Sequence, residues 1–125
     1  MEKPVYEIAA VHDLSGYGRS SLAVVIPILA AMGMQACPLA TSILSTQTSG
    51  FKNYTFFDFT DHMEKIINHW ETLDIKFDAI YSGFLGSSRQ IDIIINFIDV
   101  NIGRTIPIGI MSICSVIGRI HSQPC

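Results

Sequence analysis

Apolar residues along this chain alternate between short continuous blocks and longer stretches in which they recur every three or four positions. That is the pattern left by buried parallel strands and the helices that cover them. Val5 to Val11 predicts a first buried strand. Ser20 or Ser21 then offers an N-cap to a helix with Leu22, Val25, Ile28, Leu29 and Met32 on a broad apolar face; Gly33 ends it, and Pro27, which has no N–H for the ladder, bends it. Met34 to Thr41 predicts a second strand, and the hydroxyl-rich run from Thr41 to Gly50 leaves it as a loop. Phe51 to Phe59 is aromatic and β-prone without clean alternation, an edge strand or a flap.

The clearest helix opens at Asp61-His62-Met63-Glu64, with Thr60 or an acid at its cap, and carries Met63, Ile66, Ile67, Trp70 and Leu73 at helical spacing. Phe77 to Ser82 predicts a third buried strand. After Gly83-Phe84-Leu85-Gly86-Ser87-Ser88 comes a helix through Ile91, Ile94, Ile95 and Ile98, and Thr105 to Met111 supplies a fourth strand. Strands alternating with helices of this length imply an α/β fold, its mostly parallel sheet covered by helices on both faces. Residues 112–125 carry no strong period, so the expected sheet runs short of covering elements.

Composition narrows the function classes. With 125 residues, 49% of them hydrophobic and 15% charged, the chain makes one domain at most and buries a substantial core. A net charge of −3 without any Lys/Arg cluster gives no footprint for nucleic acid. Pro27, Gly33 and Gln35 interrupt the longest apolar region, and Met1 to Pro4 leads into no signal-peptide core, so no membrane partner and a cytoplasmic location are expected. Cys37, Cys114 and Cys125 are widely spaced and lack a C-x-x-C pattern, which argues for reduced thiols and against a zinc site.

Candidate chemistry lies after the strands: His12 to Arg19, Thr41 to Gly50, Ser82 to Ser88 and the stretch after Met111 share one rim of a parallel sheet, where such folds bind small molecules. Each alone is compatible with a bland role. The turn Asp13-Leu14-Ser15-Gly16-Tyr17-Gly18-Arg19 could be a tight βα connection, Asp13 a local cap, His12 a satisfied half-buried ring and Thr41 to Ser49 a solvated loop. The turn lacks the third glycine and downstream acid of a dinucleotide fingerprint, and no G-x-x-x-x-G-K-[ST] occurs. His62 and His69 read as surface residues.

Taken together, Asp13-Leu14-Ser15-Gly16-Tyr17-Gly18, Ala31-Met32-Gly33, Thr46-Gln47-Thr48 and Tyr81-Ser82-Gly83-Phe84-Leu85-Gly86-Ser87 resemble, in order and spacing, the amino-terminal half of the pyridoxal/pyridoxamine (vitamin B6) kinases of the ribokinase-like superfamily. The resemblance runs from about Val5 to Val100. It implies a three-layer ribokinase-like α/β sheet, mostly parallel and here truncated, with residues 1–100 as the amino-terminal part of a kinase domain and 101–125 as a divergent or truncated tail. It also implies ATP-dependent phosphorylation of the 5′-hydroxymethyl of pyridoxal, pyridoxine or pyridoxamine, with Mg2+, in an enzyme that forms homodimers.

Carried over by position, the candidate substrate-binding residues are Asp13, Ser15, Tyr17, Gln47, Thr48 and Phe84. Asp13 and Gln47 are closer to the hydroxymethylpyrimidine kinases of the same superfamily, whereas Tyr17 and the block from Ser82 to Ser87 favour the B6 branch. A flat heteroaromatic ring would stack on Tyr17 or Phe84, while Asp13, Gln47 and Thr48 hydrogen-bond its polar edge. The family's glycine-rich anion hole, aspartate base and ATP and metal loops belong to its second half. The resemblance therefore places no catalytic residue and no nucleotide- or metal-binding residue in this chain, and implies an incomplete, inactive fragment or a vitamer-binding remnant.

Overall fold

The computed structural model describes residues 5–83 and 85–101, and residues 108–110 as backbone. Among the described residues five strands and three helices follow one another as β1 (Glu7–Tyr17), α1 (Leu22–Ala31), β2 (Gln35–Thr46), β3 (Phe56–Asp58), α2 (Thr60–Thr72), β4 (Ala79–Ser82), α3 (Ser88–Asn101) and β5 (Ile108–Ile110). They build one sheet in the order β3-β2-β1-β4-β5, parallel except for the antiparallel pair of β2 with β3. The fold is thus the α/β sheet with mostly parallel strands that the periodicity predicts. Phe84, residues 102–107, which include the start of the expected strand Thr105 to Met111, and the tail from 111 lie outside the described residues.

Strand alternation sorts the core into two layers. Ala9 and Val11 of β1, with Leu39 of β2 and Ile80 of β4, meet Met63 and Ile67 of α2 and Ile91, Ile94 and Phe97 of α3 on one face. Trp70, Phe77 and Phe97 pack there edge-on or tilted, their ring centroids 5.2 to 6.3 Å apart. Ile8 and Ala10 point the opposite way, against Leu22, Val25 and Leu29 of α1. Ala9, Ala10 and Val11 are fully buried, so β1 is sandwiched on both sides, as its unbroken apolar run requires.

Several boundaries differ from those expected. The segment Asp13 to Tyr17 is not a turn: β1 continues through it, paired with β2 as far as Tyr17 opposite Thr46. Thr41 to Thr46 is likewise strand, because pairing to β1 on one side and β3 on the other satisfies a backbone whose hydroxyl-rich composition reads as loop. β4 pairs with β1 only from Ile8 to Val11, so the ends of β1 and β2 project past it as a ribbon edged by the short β3. Gly16 permits that ribbon: a Cβ there would lie 3.1 Å from the carbonyl oxygen of Ser45.

Two helix starts also depart from expectation. Ser21 does occupy the N-cap of α1, yet makes no side-chain cap bond, because its hydroxyl is directed to Asp13 instead. The N-cap of α2 is Phe59, and the stabilising acid stands one residue earlier: Asp58 Oδ1 accepts from the Thr60 N–H at 3.0 Å and from its hydroxyl at 2.5 Å. α1 continues through Pro27, and all ten of its residues are apolar. A helix apolar all round belongs between two layers, yet Ile26 and Ile28, and Met32 at its C-cap, stand exposed.

Candidate ligand site

The strand order reverses beside β1, with β2 on one side and β4 on the other, and ligands of open α/β sheets sit outside the carboxyl ends at such a point. A cavity of about 600 Å³ opens there. Its walls come from the ribbon of β1 and β2, the turn before α1, the residues after β2, the end of β3 and the segment joining β4 to α3. The size suits a single small molecule.

A bulge shapes the inner wall. Between His12 opposite Ala40 and Leu14 opposite Ile43, β1 has one residue, Asp13, where β2 has two, Thr41 and Ser42. Such irregularities re-aim side chains, and Asp13, Thr41 and Ser42 all line the cavity. Asp13 Oδ1 accepts a 2.7 Å hydrogen bond from the Ser21 hydroxyl, tying the sheet end to the start of α1. Ser15, buried on the same ribbon, adds a hydroxyl.

Gln47 closes the outer end. Its backbone N–H donates to Tyr17 O at 3.0 Å, its Oε1 accepts from the Arg19 N–H at 3.3 Å and its Nε2 donates to Ser49 O at 3.3 Å. Gly18 makes this possible: its φ is +129°, and a Cβ there would sit 2.9 Å from Gln47 Oε1. The glycine thus serves close approach between the two segments leaving β1 and β2.

On the far side Gln90 of α3 organises the wall. Only 4% exposed, it donates from Nε2 to Thr41 O at 2.9 Å and to the Thr60 hydroxyl at 3.1 Å, and accepts at Oε1 from the Gly86 N–H at 3.0 Å. A weaker contact of 3.4 Å reaches Asp58 Oδ1. The hydrogen bonds from Thr60, with smaller help from the Arg89 charge and Gln90, hold the Asp58 carboxyl below its ordinary pKa. Asp58 is exposed, so water screens much of that effect.

Of the candidate residues, Asp13, Ser15, Gln47 and Thr48 line this cavity together. Tyr17 is not among the lining residues: it is 68% exposed, and its ring meets Phe51 edge-on at 5.7 Å. Phe56 of β3 supplies an aromatic side chain to the lining instead. Sequence reasoning missed Asp58, Gln90 and Phe56. The Thr60 cap signal came nearest to Asp58, but nothing local announces that an edge strand and a helix start converge on a cavity.

His12 lies behind this site, not in it. It borders a second hollow of about 630 Å³, to which Val24, Val25, Ile28 and Leu29 of α1 contribute an apolar wall. Its ring packs edge-on to Tyr81 at 4.9 Å, and Gly83 leaves room for it, since a Cβ there would be 2.8 Å from His12 Cε1. The ring is hydrogen-bonded to the Tyr81 backbone, while Nε2 is buried without a hydrogen-bond partner among the described residues. Burial pushes the imidazole pKa below 6.5, against the opposing pull of Asp13 and the Tyr81 backbone.

Solved structures with this architecture carry kinase names. A provisionally assigned phosphomethylpyrimidine kinase from Bacteroides thetaiotaomicron VPI-5482 is 52% identical with a TM-score of 0.80, over 88% of this chain and 37% of that one. An orthorhombic form with pyridoxal gives 53% identity and the same TM-score of 0.80, over 85% of this chain and 37% of that one. Pyridoxal kinase from Lactobacillus plantarum is 26% identical with a TM-score of 0.74, over 85% of this chain and 36% of that one. The chain has the ribokinase-like fold of these kinases, over their amino-terminal portion. It spans little more than a third of their length, 37% and 36% respectively. Pyridoxal kinase from Leishmania donovani, in complex with ADP and pyridoxamine, shares the fold alone at 11% identity and TM-score 0.71, over 76% of this chain and 33% of that one. No protein-family model and no curated protein matches.

Proposed function

We propose that this chain carries the vitamer-binding side of a pyridoxal kinase site and receives the ring of pyridoxal, pyridoxine or pyridoxamine between the β1–β2 ribbon and the start of α3. The observation that carries this reading is the convergence of Asp13, Ser15, Gln47 and Thr48, drawn from two sequence blocks about thirty residues apart, on one cavity of about 600 Å³. Asp13 and Thr48 offer hydrogen bonds to the ring's polar edge, and Phe56 offers a face for stacking, worth on the order of 1 kcal/mol beyond burial.

Phosphoryl transfer needs cations or backbone donors placed around the transferring group. The described lining of this cavity contains two carboxylates and no lysine, arginine or histidine, which supports a ring-binding role for it over a phosphate-binding one. In this reading residues 1–100 are the amino-terminal part of a kinase domain, 101–125 a divergent or truncated tail, and the polypeptide alone is inactive. Pyridoxal titrated against the purified chain should bind whether or not ATP is present, and a coupled assay should detect no pyridoxal 5′-phosphate. Robust product formation would refute the inactive-fragment reading; absence of vitamer binding would refute the site.

A second reading is a hydroxymethylpyrimidine substrate. Asp13 and Gln47 in the lining favour it, as does the phosphomethylpyrimidine kinase name of the 52% identical structure. Competition between hydroxymethylpyrimidine and pyridoxal for the chain separates the two.

A further inference from the structure

We propose that the second hollow, together with the exposed face of α1 beside it, is a docking surface for the carboxyl-terminal portion of a ribokinase-like kinase, and that the docked portion presents a hydrogen-bond donor to His12. This inference rests on the kinase-fragment reading above and not on the choice of vitamer.

The two faces of the sheet are unequally covered. Among the described residues α2 and α3 pack on one face, whereas α1 alone lies on the other, against β1 and β2. Ala79 and Tyr81 of β4 belong to α1's side and are only partly buried. Ile28, Leu29 and Met32 line the hollow there together with Tyr81 and Gly83. Ile28 and Met32 are 52% and 62% exposed, and α1 has no charged residue to mark a solvent face. A sheet covered on both faces needs further elements on this side, and a helix apolar all round needs a second layer against it.

His12 shows what the cover must supply. Only 5% exposed, it borders the hollow, and its Nε2 is buried without a hydrogen-bond partner among the described residues. The bond to the Tyr81 backbone is therefore made by Nδ1. That bond favours the protonated ring, so Nδ1 donates to a backbone oxygen, which leaves Nε2 of the neutral imidazole as a lone-pair acceptor. A buried acceptor without a donor is costly, and a hydroxyl or N–H from the docked portion removes the cost. The comparison identifies the occupant. The chain spans 37% of the 52% identical kinase from Bacteroides thetaiotaomicron, so the larger part of that structure lies outside the match. β5 runs parallel to β4, and a continuation of the fold therefore starts at the rim where Gly83 borders the hollow.

The test co-expresses the full chain with the residues of the Bacteroides kinase that follow its matched portion, and also joins the two in one polypeptide in case the separate piece does not fold. The pair should purify as a complex, and in either format the amides of α1 should exchange at least about tenfold more slowly than in the chain alone. Ile28→Asp and Met32→Asp change exposed positions and should leave urea unfolding of the chain alone unchanged. Each should weaken the complex, or reduce the gained protection, about tenfold or more, because docking buries the new carboxylate. Phe57→Asp, similarly exposed but on β3, should change either readout less than about twofold. The nitrogen NMR signal of His12 Nε2 should move upfield on docking, as an acceptor gaining a donor does. Unchanged α1 exchange in both formats, or an equal loss with Phe57→Asp, would overturn the proposal, and an unmoved signal would overturn the donor. Slow exchange of α1 already in the chain alone, lost with Ile28→Asp, would overturn it in favour of a second copy or residues 111–125 as the cover. Pyridoxal 5′-phosphate formation is read separately: a complex that makes no product supports docking and counts against the vitamer reading.

Discussion

Gln90→Leu isolates the part played by one buried amide. The substitution is close to isosteric and removes three well-formed hydrogen bonds: to Thr41 O at 2.9 Å, to the Thr60 hydroxyl at 3.1 Å and from the Gly86 N–H at 3.0 Å. At a net value near 1 kcal/mol each, their loss is worth about 3 kcal/mol. Two features moderate it. Thr41 O keeps its 3.1 Å bond from the Phe59 N–H and is not orphaned, and burying leucine in place of an amide returns about 1 kcal/mol. The expected destabilisation is about 2 kcal/mol, which for a urea m-value near 2 kcal/mol/M moves the unfolding midpoint down by about 1 M. Because the same amide pins Gly86 to the cavity wall, pyridoxal affinity should fall as well. A midpoint shift below about 0.3 M with unchanged pyridoxal binding would refute the reasoning that Gln90 holds the wall together.

Other variants test other parts of the molecule. Gly83→Ala would drive a methyl into the His12 ring, 2.8 Å from Cε1, and should lower the thermal midpoint by several degrees; an unchanged melt would mean that the ring yields freely. Phe97→Ala removes a ring, 3% exposed, that contacts Trp70 and Phe77, and should destabilise by about 3 to 5 kcal/mol in urea, with less than about 1.5 kcal/mol contradicting the packing described. The folded-state pKa of His12 lies below 6.5, so the unfolded chain protonates first. Stability from this residue is full above pH 6.5 and is lost as pH falls from there through the folded value, at up to about 1.4 kcal/mol per pH unit. His12→Gln should flatten that part of the pH–stability curve, and an identical decline in the variant would assign it to other groups.

The helix and strand order was legible because burial on both faces of β1 demands a continuous apolar run and the covering helices demand a 3.6-residue period, both local properties of sequence. What was not legible arises from pairing. Ser15, Ser42 and Thr46 read as loop residues by composition, yet lie in strands because neighbours distant in sequence meet their backbone groups. The same holds for the site. Asp13, Gln47 and Thr48 stand among glycines and hydroxyls that give a local sequence signal, even though β1 runs on through Asp13, whereas Asp58 and Gln90 gain their roles only when β3 and α3 arrive at the same place.

The extra residue in β2 also decides which sequence changes this region can bear. Side chains alternate along a strand, so the one extra residue opposite Asp13 sets which way every later position of β2 faces, including the buried Leu44. Deleting Thr41 or Ser42 would restore an unbroken ladder and turn each of those positions to the opposite side, even with every remaining residue retained. Substitution of either residue changes one side chain, whereas loss of either inverts the strand. In this stretch the number of residues is therefore the tighter constraint, and a one-codon deletion should do more harm than several conservative replacements combined.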